Sequence, residues 1–593
     1  VTYILPDWQI NAATDANLGR LNDAIDDLDD RASGLEDSLD GINSGMAGLS
    51  TAVGVLDVAF PGLNDTVTSL DSTVSSLDGT VTSLAASVTS LNTAITGLDT
   101  RVSALETTVA GLGSGGGSSA ALDPVQAAAA TAVPIYPTDV AQTIVDAQPA
   151  GTTFVIKTGT HTGFTLTLTN PALYSGMRFI GEPGTVLDGA GANLRCLTTF
   201  ATDVVFRGWS AAQPMQINNY TPTTSQATVV NCNSDDDSRD SLPGCEIAYL
   251  SMLNNAQVNV RGGASSNLHD LTITNAGMNA LAGAGIGSPF KPCIVKDVTI
   301  VNNNSQLINP GFEGGIKFSL CRYVDVSNVT IIGNPVHASA CDSWGLWFDV
   351  SCEHVVVRNC TISDVPRAGI IMEIGGSFQL FGNTISNCGF AFNGIGQGHN
   401  LPAPSWGYGG GAGILVASTG NGPLGVGGYI SKNTLTNCNE GIVIREQNRG
   451  VFSTDELTPL FSQNIRVLQN SLSACGGSGV LTDILQWSSS TTYALYAQVY
   501  SNGMLFTSKA ASNLNNAPPT TPTSSSWWTY SCMNPADPSR NLIWNRNAYT
   551  GSCGPTAQSF SPSSFYWTAA SGGSAHGLSA WQSYGQDING TYS

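Results

Sequence analysis

Charge is scarce in this chain, and positive charge is scarcer. Only 11% of its 593 residues are charged, and 22 Lys and Arg stand against 43 Asp and Glu, for a net charge of −21. That deficit excludes a nucleic-acid groove, which needs clustered cations to neutralise phosphates, and a basic membrane anchor. No apolar run approaches the ~20 residues that span a bilayer, so no membrane insertion is expected. The opening VTYILPDWQINAATDANLGR has no charged segment followed by an apolar one, so export by a signal peptide is not indicated. The 13 Cys are odd in number and form no CxxC pair, and the six His share no spacing, which leaves no zinc site and no disulfide framework. The acidic run Asp235, Asp236 and Asp237 lacks the alternating frame of a calcium loop. No metal or cofactor is therefore expected, and most thiols are expected to be small buried side chains.

What the chain has in quantity is glycine, 66 residues, among many Asn, Thr and Ser. A turn-rich, weakly charged chain of this length points to an elongated repeat more than to one ordinary core. After a segment at 1–17, apolar residues recur at alternating spacings of three and four from Leu18 to Leu112, as in Val74, Leu77, Val81, Leu84, Val88 and Leu91. This is a coiled-coil seam, and a helix over 18–112 would reach roughly 140 Å at ~1.5 Å per residue. Pro61, Gly62 and the glycines at 41, 45, 48 and 54 weaken its first half. The stretch RVSALE, Arg101 to Glu106, resembles a trimer-favouring coiled-coil motif and implies three chains. Residues 113–133, GSGGGSSAALDPVQAAAATAV, read as a flexible linker.

From 134 to 485 the pattern becomes short strands between turn residues, and the segments resemble one another. LHDLTITNA, VKDVTIVNN, VSNVTIIGN, VRNCTISDV, LFGNTISNC, ISKNTLTNC and VLQNSLSAC follow at mostly ~20 to 30 residue intervals, the spacing of a solenoid. A parallel β-helix fits best. Ile273, Ile300, Ile331, Ile362, Ile385, Leu435 and Leu472 are expected to form one buried ladder, with Cys388, Cys438 and Cys475 stacked as core fillers. These segments, together with AQTIVDAQPAGTTFVIKTGTHTG and MRFIGEPGTVLDGA, resemble right-handed parallel β-helix proteins of the pectate-lyase-like class. A β-helix behind a long trimeric coiled coil resembles a bacteriophage tailspike or tail fibre. That resemblance implies a homotrimer in the virion tail, assembled in the host cytoplasm, whose N-terminal region joins a tail or baseplate protein.

A second strand in each coil begins at glycine: GIKFSL, GLWFDV, GIIMEI, GILVAS, GIVIRE and GVLTDI, from Gly315, Gly345, Gly369, Gly413, Gly441 and Gly479. Alternation sends Ile316, Leu346, Ile370, Ile414, Ile442 and Val480 inward with Phe318, Phe348, Met372, Val416 and Ile444. The outer face then carries Lys317, Trp347 and Ile371 in one column and Ser319, Asp349, Glu373, Ala417, Arg445 and Asp483 in the other. Stacked strands lie ~4.8 Å apart, so Asp349 and Glu373 are expected to approach within roughly 5 to 6 Å. Carboxyls at that distance can act on a glycosidic bond as acid and nucleophile; ~6.5–9.5 Å would suit an inverting reaction. Trp347 offers a ring for a sugar, and Lys317 a charge for an acidic sugar or an oxyanion. The succession G-x-K, W-x-D, G-I-x-x-E also resembles one group of bacterial β-helix proteins. Three readings remain open here: an exposed polar ladder with Asp349 paired to Lys317 or Arg445, glycan binding without cleavage, and hydrolysis or β-elimination.

Residues 486–532 break the repeat. Tyr493, Asn502, Gly503, Phe506, Trp527 and Trp528 resemble the order found in small tryptophan-rich carbohydrate-binding modules. Trp487 and Phe506 are expected to pack, and Tyr493, Trp528 and Tyr530, with Arg445 on the sheet, to meet glycan. Residues 533–593 resemble a closing coil, so the module is expected to project from the end of the stack. The reading as a whole is a spike that recognises, and in one version degrades, host surface polysaccharide; the alternative is a secreted or surface-attached bacterial polysaccharide-degrading enzyme or adhesin.

Overall fold

The structure, a computed structural model of the chain, describes residues 131–223, 228–232, 244–263, 265–305, 314–333, 344–389, 412–417, 427–446, 462–475, 478–482, 487–502, 504–533, 541–550, 565–569, 589 and 591–592, together with 28, 31, 34–35 and 38–46. The chain divides into two units, Val1–Ala121 and Leu122–Ser593. In the first, residues 38–46 are helical. Most of the expected coiled coil and all of the linker before 131 lie outside the described residues.

The second unit is a parallel β-helix. Each coil contributes a strand to a first sheet, turns into a second and then a third, and climbs to the next coil. One circuit runs through Trp344–Phe348, Glu353–Arg358 and Thr361–Ser363 and returns at Ile370–Glu373. All neighbours along a sheet are parallel, as in the pairing of Leu346 with Ile370 and of Ile370 with Ile414. In the third sheet Ile273, Ile300, Ile331, Ile362, Ile385, Leu435 and Leu472 stand in register, and all are buried. Burying a side chain of that size contributes about 2 kcal/mol, and β-branched residues suit a strand, so the ladder both selects and stabilises the coil.

The glycines near the start of the first-sheet strands, from Gly315 to Gly441, stand in close approach to the neighbouring coil. A Cβ on Gly345 would lie 2.2 Å from the carbonyl oxygen of Gly369, and one on Gly413 would lie 2.4 Å from Leu435 Cδ2. Ile316, Phe318, Leu346, Phe348, Ile370, Met372, Ile414, Val416, Ile442 and Ile444 fill the interior beside them. Ten cysteines between Cys196 and Cys475 are buried and unbonded. A hydrogen bond with the Cys388 thiol, together with burial, holds the Cys438 thiol well above its ordinary range, which keeps it protonated and unreactive.

A buried asparagine ladder, not foreseen from the sequence, closes the corner between the second and third sheets. Asn433 Nδ2 donates to Asn470 Oδ1 at 2.9 Å and to the Leu380 carbonyl at 3.0 Å, while its Oδ1 accepts from Asn383 Nδ2 at 2.9 Å; Asn470 repeats this with Asn547. The signal was in the repeat itself, since Asn383, Asn433, Asn470 and Asn547 each stand just before a third-sheet strand.

The insert leaves the stack after the first-sheet strand Ser478–Thr482, and the solenoid resumes at Ile543–Asn545, which pairs with residues 466–468. Between them Gln498–Ser501, Met504–Ser508 and Trp528–Met533 form an antiparallel sheet around Phe506 and Trp528. Its expected projection needs correction. Tyr500 OH donates to Glu446, at the end of a first-sheet strand, and both side chains are buried, so the module is tied back against the side of the stack.

Candidate functional site

Register fixes which side chains can meet on the outer face of the first sheet. Lys317 pairs with Trp347, Trp347 with Ile371, Ile371 with Leu415, and Leu415 with Val443. One position further on, the Asp349 amide donates to the Phe318 carbonyl and Ser351 N to Ile374 O, so Asp349 stands beside Glu373; Glu373 pairs with Ala417, and Ala417 with Arg445. The last step differs from expectation: Arg445 pairs with Leu481, not with Asp483, which lies outside the described residues.

Lys317 Nζ is 3.2 Å from Asp349 Oδ2 and 3.8 Å from the centroid of the Trp347 ring. Trp347 Nε1 in turn donates to Glu373 Oε2 at 3.0 Å. Asp349 Oδ1 accepts from the Val350 amide at 2.8 Å, which fixes the carboxylate to its own turn. The four residues singled out on this face therefore form one chain of contacts, Asp349 to Lys317 to Trp347 to Glu373.

The two carboxyls occupy different surroundings. The Lys317 and Asp349 side chains are 18% and 19% exposed, whereas Glu373 is 1% exposed. Trp347 is not the open platform expected of it. It is buried in a second apolar cluster with Trp344, Ala368, Ile371, Ala412, Leu415 and Val443, and the Lys317 ammonium covers its ring. Over these coils the first sheet is thus buried on both faces, as parallel sheets commonly are, and the partly exposed Lys317–Asp349 pair lies beside the covered stretch. Arg445 is nearly buried. Glu440 opens the same strand as Arg445, and burial pushes its carboxyl up to about 7 against the pull of that guanidinium.

In the insert, Trp528 is fully buried and donates through Nε1 to the Asn516 carbonyl at 2.6 Å, so it belongs to the module's core and cannot be a surface platform. Tyr493 is buried against the Trp528 ring and Tyr530 packs on Phe506. Trp487 also packs on that core, as expected. Among the described residues of the insert, Trp527 is the large aromatic facing solvent, at 43% exposure. Trp527 stands in the bend just before the strand that opens at Trp528.

With this geometry in view, comparison with known proteins adds the following. A protein-family model described as "Right handed beta helix region" matches residues 223–424, and the chain has a right-handed parallel β-helix there. No curated protein matches the sequence. Among solved structures, the catalytic unit of a thermostable alpha-1,3-glucanase from Streptomyces thermodiastaticus is 14% identical, covering 62% of this chain and 65% of that one with a TM-score of 0.36. The A-module of a mannuronan C-5 epimerase from Azotobacter vinelandii is 12% identical over 56% of this chain and 85% of that one, with a TM-score of 0.29. The tailspike protein of an E. coli bacteriophage, solved with a pentasaccharide, is 12% identical over 72% of this chain and 65% of that one, with a TM-score of 0.30. The chain thus spans just under two thirds of the glucanase unit and of the tailspike. At these scores the likenesses carry no functional weight.

Proposed function

We propose that the protein is a glycan-binding spike of the tailspike or tail-fibre kind, and that polysaccharide engages the outer face of the first sheet at Lys317 and Asp349. The observation that carries this reading is the partly exposed Lys317–Asp349 pair beside the apolar cluster on the outer face of the first sheet. A fixed cation and anion side by side offer both donors and acceptors to sugar hydroxyls, and the Lys317 ammonium suits an acidic sugar. The heptads of 18–112 support a coiled coil, with Leu28, Leu35, Leu39, Ile42 and Met46 exposed in the single chain, and the RVSALE stretch within them supports three chains over two. Its N-terminal region joins the virion tail or baseplate.

Cleavage is the second reading, favoured by one observation: Asp349 and Glu373 stand on neighbouring coils, and the Lys317 ion pair suits Asp349 to the part of a nucleophile. Glu373 would act as the acid only where substrate binding opens its buried position. Incubating the protein with surface polysaccharides from candidate hosts, and following product size by chromatography, separates the two. Binding without shortening supports the spike; shortening that disappears in both Asp349→Asn and Glu373→Gln makes the protein a depolymerase. No binding to any host polysaccharide overturns both. Three-fold particles in negative stain are expected, and a monomer would remove the trimer.

A further inference from the structure

A second cluster, unused by the site above, lies on the outer face of the second sheet and joins three consecutive coils. Val205–Arg207, Glu246–Leu253 and Asn267–Thr274 stack there, so that Arg207 pairs with Ala248 and Ala248 with His269. Ala248 has only a methyl to offer, and the longer side chains on either side of it both turn to Glu246, two residues earlier on the same face. Arg207 Nη1 is 3.4 Å from Glu246 Oε1, and His269 Nε2 is 3.8 Å from the same oxygen. The other ring nitrogen, His269 Nδ1, is 2.7 Å from Asp270 Oδ2. Tyr249 closes the cluster, with its ring under the Arg207 guanidinium at 4.4 Å and edge-on to the imidazole at 5.4 Å.

Both ring nitrogens thus face carboxylates, and a neutral imidazole has only one N–H to give. Whichever tautomer forms, a nitrogen lone pair is left pointing at Glu246 or Asp270; only the imidazolium suits both. From the following coil Lys296 pairs in register with His269, but its ammonium is turned to Asp297 at 3.2 Å. Burial works to lower the basicity of the ring, and the Glu246 and Asp270 carboxylates outweigh it, so His269 is held above the ordinary histidine range. The other cross-coil pairs of this face, Arg322 with Glu353 and Arg358 with Asp325, join arginine to carboxylate and keep their charges through neutral pH. Among these pairs His269 is the member that titrates there, and its side chain, 17% exposed, can exchange its proton with water.

We infer that His269 is a proton-operated clasp between coils: charged, it fastens its own coil to Glu246 on the preceding one, and neutral, it turns a lone pair on one of its two carboxylates. The sign follows from a folded-state value raised above the unfolded one. The stabilisation is full below the ordinary histidine value of about 6.5 and is lost as pH rises through the higher value of the folded chain. The clasped coil runs on from Asn267–Thr274 into Leu281–Ile286, whose Ala282 stands beside Lys317. The clasp therefore sets how firmly the coil next to the Lys317 strand is held. The inference concerns the scaffold and stands apart from the glycan reading.

The test is a pH series on the full chain as wild type, Glu246→Gln, Asp270→Asn and His269→Gln, with two mass-spectrometric readouts. Exchange of the imidazole C2 hydrogen reports the titration midpoint of His269, and amide exchange, corrected for its intrinsic pH dependence, reports protection of Glu246–Leu253 and Asn267–Thr274, with Thr434–Thr436 as the control strand. The expected midpoint lies above about 6.5 in wild type and falls in both carboxylate variants. Protection of the two clasped strands is expected to drop about threefold as pH rises through that midpoint, the scale of one partly exposed ion pair, and to lose this step in His269→Gln. A midpoint at or below the ordinary value, a midpoint unmoved by Glu246→Gln, or the same step in His269→Gln would each overturn the clasp. If His269→Gln does not fold, the midpoints of the two carboxylate variants decide.

Discussion

The third sheet and the first sheet are made by the same coils, yet they use their outer faces in opposite ways. Outside the Ile and Leu ladder the third sheet repeats one chemistry, Thr272, Thr299, Thr330, Thr361, Thr384, Thr434 and Ser471 standing in register. The first sheet keeps its interior equally regular, but its outer column changes at every step, from Ala282 to Lys317, Trp347, Ile371, Leu415 and Val443. A repeat conserved on both faces serves the stack, whereas one conserved only inside leaves the outside free to carry a site.

The largest effects should come from breaking what both regions share. Ile362→Ala empties a fully buried ladder position and should cost about 3 to 4 kcal/mol in denaturant unfolding. Asn433→Ala should cost about 3 kcal/mol, because it strips partners from Asn383, Asn470 and the Leu380 carbonyl at once. Next comes Trp347→Phe, which keeps the ring but removes the donor to buried Glu373, at about 2 kcal/mol. A loss below 0.5 kcal/mol would mean the Trp347–Glu373 bond is replaceable and the first sheet less specialised than its contacts suggest.

How far these contrasts were legible in the sequence depends on what period-two alternation can and cannot encode. The ladder from Ile273 to Leu472 was readable because the repeated segments align without choice. The outer columns were readable from Lys317 to Arg445 because glycine marks the start of each strand. The alignment failed at the last strand, where Val443 rather than Gly441 meets Gly479. A slip of two residues leaves every side chain on the same face, so alternation cannot detect it, whereas a slip of one would have been plain. Burial of the outer face was hidden for another reason. Trp347 and Ile371 are apolar on the side assigned to solvent, Leu415 and Val443 follow them in register, and such a run is the mark of a sheet covered on both faces.

Smaller effects sharpen the same comparison. Glu440 gives the first sheet a pH dependence. Its carboxyl rises from 4.5 to about 7 on folding, so its contribution to stability is full below pH 4.5 and is lost as pH rises through 7. Glu440→Gln should flatten that part of the pH profile in thermal unfolding, and an unchanged slope would remove the group from the account. Thr361→Val, on the outer column of the third sheet, should shift stability by less than about 0.5 kcal/mol.

The most direct test of the central claim is to measure the affinity of wild type, Lys317→Met and Thr361→Val for whichever host polysaccharide the wild type binds. If the outer face of the first sheet at Lys317 is the binding face, Lys317→Met should weaken binding about tenfold and Thr361→Val should leave it unchanged. Unchanged affinity in Lys317→Met, with a loss in Thr361→Val, would contradict the account and move the site to the regular third sheet.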